Sequence, residues 1–298
     1  MKDLMQIRPP RPRRSVLYVP ATNEKALANL PSIDCDCVIV DLEDSVAPVQ
    51  KAAARQRLME FFAQHERGHR EMVIRINALS GEWGADDLKA ARRCRPNAIL
   101  LPKVDTARDV LEANDALDED DARAGLQLWA MVETPRALLN IGAIAALGRD
   151  RSARLSCLVA GTNDLVKETG VRATSDRKWL VPWLMQIVLA ARAGGLDALD
   201  GVSNDFSDLE AFAAECAQGR DMGFDGKTLI HPAQIAPANT AFSPSHEEVR
   251  EALAIRAAFA LPQNAASGVI QVDGRMVERL HLEQAERLLA KTGYGTGA

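Results

Sequence analysis

Short apolar runs alternate with longer alanine- and leucine-rich stretches along most of the chain. Residues 15–20, 37–42, 72–77, 98–102, 127–133, 155–160, 197–202 and 224–230 read as β-strands. Several are almost continuously apolar (Cys37-Val-Ile-Val-Asp-Leu42 is one), the pattern of strands buried on both faces in a parallel sheet. The intervening stretches predict helices over 23–30, 48–64, 85–93, 105–117, 135–147, 178–193, 209–222 and 232–241. Thr22 is the expected N-cap of the first. Pro135 suits a first helical position, where its missing N–H costs nothing.

This β-then-α repetition predicts an α/β fold, a (β/α)8 TIM barrel with helices outside. An open doubly wound sheet would carry a glycine-rich phosphate loop after its first strand, and that turn reads Val19-Pro20-Ala21-Thr22-Asn23. The expected organisation is a flexible leader over 1–14, a catalytic barrel over 15–243, and a C-terminal helical/β extension over 244–298. The extension reads as a helix (247–259), a β pair near 268–276 and a last helix (282–291), and is expected to pack on a neighbouring subunit.

Composition narrows the possibilities. With 47% apolar and 26% charged residues the chain is globular. Its net charge of −5 gives no support to nucleic-acid binding. No apolar run approaches the roughly 18 residues that span a bilayer, and the basic, proline-rich start (Arg8-Pro-Pro-Arg-Pro-Arg-Arg14) lacks the apolar core of a secretion signal. Cys35, Cys37, Cys94, Cys157 and Cys216 form no CxxC pair, which suggests reduced thiols in a cytoplasmic protein.

In such barrels chemistry sits at the C-terminal ends of the strands. Asp41, Glu43, Asp44, Glu133 and Asp164 converge there, with Arg75 and Lys103; Asp200, Lys227 and His231 also stand at strand ends. Several carboxylates in one place repel one another, and a divalent cation relieves the repulsion. Oxygen donors without His or Cys favour Mg2+, with Mn2+ possible, held by two carboxylates while others hold waters. The competing role for Asp164 and Asp105 is helix capping. Glu133 ends an apolar strand, where a charge needs a partner. Arg75, inside Val73-Ile-Arg-Ile76, is either one half of a barrel ion pair or a clamp for an anionic oxygen.

Other signals carry less. His65-Glu-Arg-Gly-His69 matches HExxH, but Gly68 breaks it and it lies on the face of the barrel away from the strand ends. Cys35 and Cys37 read as buried packing. His231 and His281 are read as surface or packing residues, and Gly161-Thr-Asn-Asp164 as a turn that its place after the sixth strand keeps of interest.

The blocks Arg14-Ser-Val-Leu-Tyr-Val-Pro20, Asp41-Leu-Glu-Asp-Ser-Val46, Val73-Ile-Arg-Ile-Asn77, Leu101-Pro-Lys-Val104, Val132-Glu-Thr134, Gly223-Phe-Asp-Gly-Lys227, Ile230-His-Pro232 and Phe242-Ser-Pro-Ser245 follow in order. They resemble the CitE-like branch of the HpcH/HpaI aldolase family: citrate lyase β subunits and malyl-CoA or citramalyl-CoA lyases. The resemblance implies that Glu133 and Asp164 are direct Mg2+ ligands, that Glu43 and Asp44 hold metal-bound waters, and that Arg75 and Glu133 contact substrate, Arg75 stabilising charge on the 2-oxo-acid oxygen. It implies a carbon–carbon lyase that cleaves or forms a 3-hydroxyacyl-CoA thioester. The alternatives are a citrate lyase β subunit working with an acyl-carrier protein, a malyl-CoA thioesterase, and a non-catalytic barrel.

In several relatives an Asp in a C-terminal DGxMxD segment serves as acid/base in a neighbouring subunit's site. Here the segment reads Asp273-Gly-Arg-Met-Val-Glu278. Glu278 keeps the carboxylate and adds a methylene, so it is either the catalytic acid/base or surface charge. Service in trans implies a homo-oligomer, expected as a trimer or hexamer.

Overall fold

The computed structural model describes residues 11–64, 68, 70–119 and 125–292. His65, Glu66 and His69 of the HExxH match lie outside the described residues. The chain divides into two compact units, Arg13–Phe242 and a second one from Ser243 onward.

The first unit is a closed barrel of eight parallel strands in sequential order. These are β1 (Ser15–Pro20), β2 (Cys37–Asp41), β3 (Glu71–Arg75), β4 (Ala98–Leu101), β5 (Gln127–Val132), β6 (Leu155–Ala160), β7 (Asp197–Asp200) and β8 (Gly226–Leu229). Around them run α1 (Glu24–Asn29), α2 (Lys51–Gln64), α3 (Gly84–Cys94), α4 (Ala107–Glu119), α5 (Pro135–Ala146), α6 (Thr162–Thr169), α7 (Val181–Gly194), α8 (Leu209–Asp221) and α9 (Ile235–Phe242). Asn23, not Thr22, caps α1, its side chain accepting from Ala26 N–H. The expected turn after β6 is instead the short helix α6, which starts without a side-chain cap.

Strand alternation sorts the side chains into two cores. Val16, Ile39, Val73, Leu100, Trp129, Val159 and Leu199 fill the barrel interior, while Val38, Ile74, Ile99, Leu128 and Leu158 face the helices. The same parity aims Arg75 and Glu133 inward at the C-terminal rim. At the opposite end Arg13 is buried, bonded to Glu71 through Nε (2.6 Å) and Nη2 (2.7 Å) and to Asp197 through Nη1 (2.5 Å), above the Trp129 ring. Arg14 pairs with Asp36. The leader therefore ends earlier than expected: Arg13 and Arg14 belong to the barrel because they neutralise acids at its floor.

Parity also removes two strand-end candidates from the site. Asp200 and Lys227 face the helices, not the interior. Lys227 Nζ, fully buried, donates to Asp200 Oδ2 (2.9 Å) and Gly201 O (2.5 Å) and pairs with Glu215 (2.7 Å), and Arg177 binds Asp200 from the other side. Burial alone would raise the Asp200 carboxyl, but these two cations hold it below the usual range. His231 caps the turn that precedes α9 and stacks on Phe206.

The second unit contains α10 (His246–Ala260), the antiparallel pair β9 (Val269–Val272) and β10 (Arg275–Glu278), and α11 (Arg279–Lys291). Asp273 and Gly274, both at positive φ, make the two-residue hairpin turn. Ile255, Phe259, Ile270, Val277 and Leu289 form its own small core.

Lys227→Ala should leave Asp200 and Glu215 to share Arg177 as their remaining cation, lowering unfolding free energy by about 3 kcal/mol. A urea midpoint shifted well below that of the wild type checks this; an unchanged midpoint contradicts it.

Candidate active site

Asp41 and Arg75 are register partners on β2 and β3. Arg75 Nε donates to Asp41 Oδ1 and Nη2 to Oδ2, both at 2.7 Å, so the pair is bidentate. Asp41 also accepts from the N–H groups of Glu43 (2.9 Å) and Ser45 (3.1 Å). Burial pushes its carboxyl up, but Arg75 more than offsets this and the carboxyl lies below its ordinary value. Asp41 is thus consumed in orienting Arg75. The guanidinium also lies over the Tyr18 ring, 4.9 Å from its centre, leaving Nη1 towards Glu43 (2.8 Å) and Asp44 (3.5 Å).

Glu43 is buried, and its Oε2 has no hydrogen-bond partner despite lying near Arg75, because the geometry is off the N–H direction. Burial pushes its carboxyl up to about 8; Arg75 opposes this, while Asp44, Glu133 and Asp41 add to it. The loop that carries it is held from behind. Lys51 Nζ donates to Leu42 O and Glu43 O (both 2.8 Å) and to Asn77 Oδ1 (2.9 Å), and Asn77 is fixed by Asp87. Lys51 and Asp87 escape a search confined to strand ends, since both lie in helices behind the rim. Asp44 points to solvent, its side chain 66% exposed.

Across the mouth, Glu133 is 1% exposed. Its Oε1 accepts from Lys103 N–H at 2.6 Å. Lys103 Nζ lies 2.5 Å from Asp164 Oδ1 and 3.7 Å from Glu133 Oε1. Burial raises the Glu133 carboxyl, with Lys103 opposing. Asp164 sits in the first turn of α6 without serving as its N-cap, which is Gly161. Gly161 packs directly on Glu133; a Cβ there would land on the glutamate side chain. Asp105 accepts from Thr134 Oγ1 at 2.5 Å and does not cap α4.

A cavity of about 410 Å3 joins these groups, lined among others by Tyr18, Arg75, Met131, Glu133 and Asp164. That is room for a small-molecule ligand. The structure thus brings Arg75, Glu43, Asp44, Glu133 and Asp164 to one rim, and places Glu278 in the second unit. There Glu278 is the N-cap residue of α11 and its N–H donates to His281 Nδ1 at 2.9 Å.

The donor set suits a hard cation. Glu133 and Asp164 offer carboxylate oxygens on either side of one positive charge, and Glu43 Oε2 is a buried acceptor without a donor. Among the described residues no three Asp, Glu, His or Cys side chains gather closely enough to hold a metal alone. Two carboxylates completed by waters and substrate oxygens is an arrangement Mg2+ accepts.

Glu43 ties this electrostatics to stability. Its carboxyl is raised in the folded state, so its favourable contribution is full below the unfolded value near ~4.3 and is lost as pH rises through about 8. Metal-free Glu43→Gln should melt like the wild type near pH 4 and at least about 3 °C higher near pH 8.5. Melting curves that differ equally at both pH values would contradict the assignment.

Comparison with known proteins identifies the family. The HpcH/HpaI aldolase/citrate lyase family matches residues 14–232. The chain is 48% identical to a (3S)-malyl-CoA thioesterase of Cereibacter sphaeroides, over 94% of each chain. It is 32% identical to the mitochondrial citramalyl-CoA lyase of Homo sapiens, over 92% of this chain and 84% of that one. The solved structure of CitE from Mycobacterium tuberculosis in complex with magnesium, acetoacetate and coenzyme A superposes with a TM-score of 0.73 at 31% identity, covering 95% and 98%. A closed parallel barrel with this acidic rim, matched along most of its length, belongs to the HpcH/HpaI aldolase/citrate lyase family.

Proposed function

We propose that the protein is a Mg2+-dependent enzyme that acts on (3S)-malyl-CoA or a close 3-hydroxyacyl-CoA relative, and that it hydrolyses the thioester. The observation that carries the site is the pairing of Glu133 and Asp164 around one positive charge beside Arg75 in a single cavity. The choice of hydrolysis over carbon–carbon cleavage rests on the 48% identity to the (3S)-malyl-CoA thioesterase.

In this reading Glu133 and Asp164 hold the cation, for which Mn2+ could substitute. Bound there, Mg2+ supplies Lewis acidity to a substrate oxygen. Arg75, fixed by Asp41 through Nε and Nη2, presents Nη1, which lies beside Glu43 Oε2, to an anionic oxygen of the acyl group. Glu43 and Asp44 hold water, and Glu43, whose buried Oε2 has no hydrogen-bond donor, is the carboxylate proposed to accept a proton from it. Addition of that water at the thioester carbonyl expels the thiolate of coenzyme A, which takes up a proton, and leaves a free carboxylate.

A second reading is the lyase reaction, favoured by the likeness to citramalyl-CoA lyase. The same rim would then polarise the 3-hydroxyl oxygen as it becomes the carbonyl of a 2-oxo acid. The thioester enolate left behind needs a proton, and Glu278 from a neighbouring subunit of a homo-oligomer is the group proposed to deliver it. Hydrolysis has no such step, so Glu278→Gln separates the two.

Incubation of (3S)-malyl-CoA with Mg2+ should yield malate and free coenzyme A, in amounts unaffected by Glu278→Gln. Glu133→Gln should lose Mg2+ binding and at least about 100-fold in rate, a Lewis acid's contribution of several kcal/mol. Glyoxylate and acetyl-CoA as the main products would replace hydrolysis with the lyase reading. An intact thioester would overturn both.

A further inference from the structure

Lys103 reaches both carboxylates assigned to the metal, and it does so with two different donors. Its N–H holds Glu133 Oε1 at 2.6 Å, while its Nζ sits 2.5 Å from Asp164 Oδ1 and 3.7 Å from Glu133 Oε1. The geometry depends on a backbone φ of 51°, the left-handed region that a residue with a Cβ rarely occupies. Such a conformation persists where its surroundings enforce it. Here it turns the peptide N–H and the side chain towards the same pair of acids. The two donors differ in freedom. The N–H is fixed in the rim, whereas the side chain is 31% exposed and ends a flexible stem.

We infer that Lys103 is a built-in placeholder cation: its ammonium bridges Glu133 and Asp164 in the metal-free protein and swings to solvent when a divalent cation takes those oxygens. The inference rests on the reading of Glu133 and Asp164 as the metal pair. Metal binding is then an exchange of one cation for another. The ammonium spares a buried glutamate from standing unpaired in the empty enzyme, and it makes the metal compete for its ligands. The N–H stays on Glu133 throughout, so the carboxylate keeps its aim during the exchange.

The test is a Mg2+ titration by calorimetry together with melting curves with and without Mg2+. The variants are Lys103→Met, which keeps the stem without the charge, and Lys103→Gly, which suits the left-handed backbone should the first fail to fold. Either variant should melt lower than the wild type without metal, bind Mg2+ at least about fivefold more tightly, and gain a larger increase in Tm from Mg2+. Affinity equal to or weaker than that of the wild type overturns the placeholder while leaving the metal pair intact. A wild type that binds no Mg2+ overturns the metal pair itself.

Discussion

Asp41 and Arg75 face each other across neighbouring strands, and their two 2.7 Å hydrogen bonds organise the charges of the barrel mouth. The pair neutralises one acid and locks a guanidinium in place, in surroundings too dry for Glu43 and Glu133 to ionise freely. Glu43 and Glu133 are both raised by burial, because the remaining positive charge does not compensate them fully. Two features read as answers to that deficit: Lys51, which braces the Glu43 loop from behind, and Lys103, which reaches both Glu133 and Asp164. The proposed divalent cation would be a third.

The strands were legible because parallel strands covered on both faces must be apolar almost throughout. The predicted runs 15–20 and 155–160 coincide with β1 and β6; the other six overran by a residue or more at one or both ends. The overruns fall on residues such as Glu133 and Asn77, which follow the strand but bond to loops. Asp41 and Glu133 stand out for the same reason: each is a charge at the end of an apolar strand.

Features decided by side-chain direction were harder to read. Asp200 and Lys227 end strands as Glu133 does, yet both point outward into an ion network with Arg177 and Glu215. Strand parity was the available signal, since Leu199 and Thr228 are the neighbours that face the interior and the cavity. Helix α6 was missed because it is short and polar. The left-handed turn at Lys103 has no sequence signature, as no glycine or asparagine marks it. Arg13 looked like leader because its acid partners, Glu71 and Asp197, lie far away in the chain.

The central claim is that Glu133 and Asp164 form a metal site whose neighbour Arg75 is already committed to Asp41. It is tested most directly by an anomalous-scattering map from crystals soaked in Mn2+. The account predicts one strong peak in coordinating contact with both carboxylates, with the Arg75–Asp41 pair unbroken. A peak bound through Asp41, or none between Glu133 and Asp164, would contradict it.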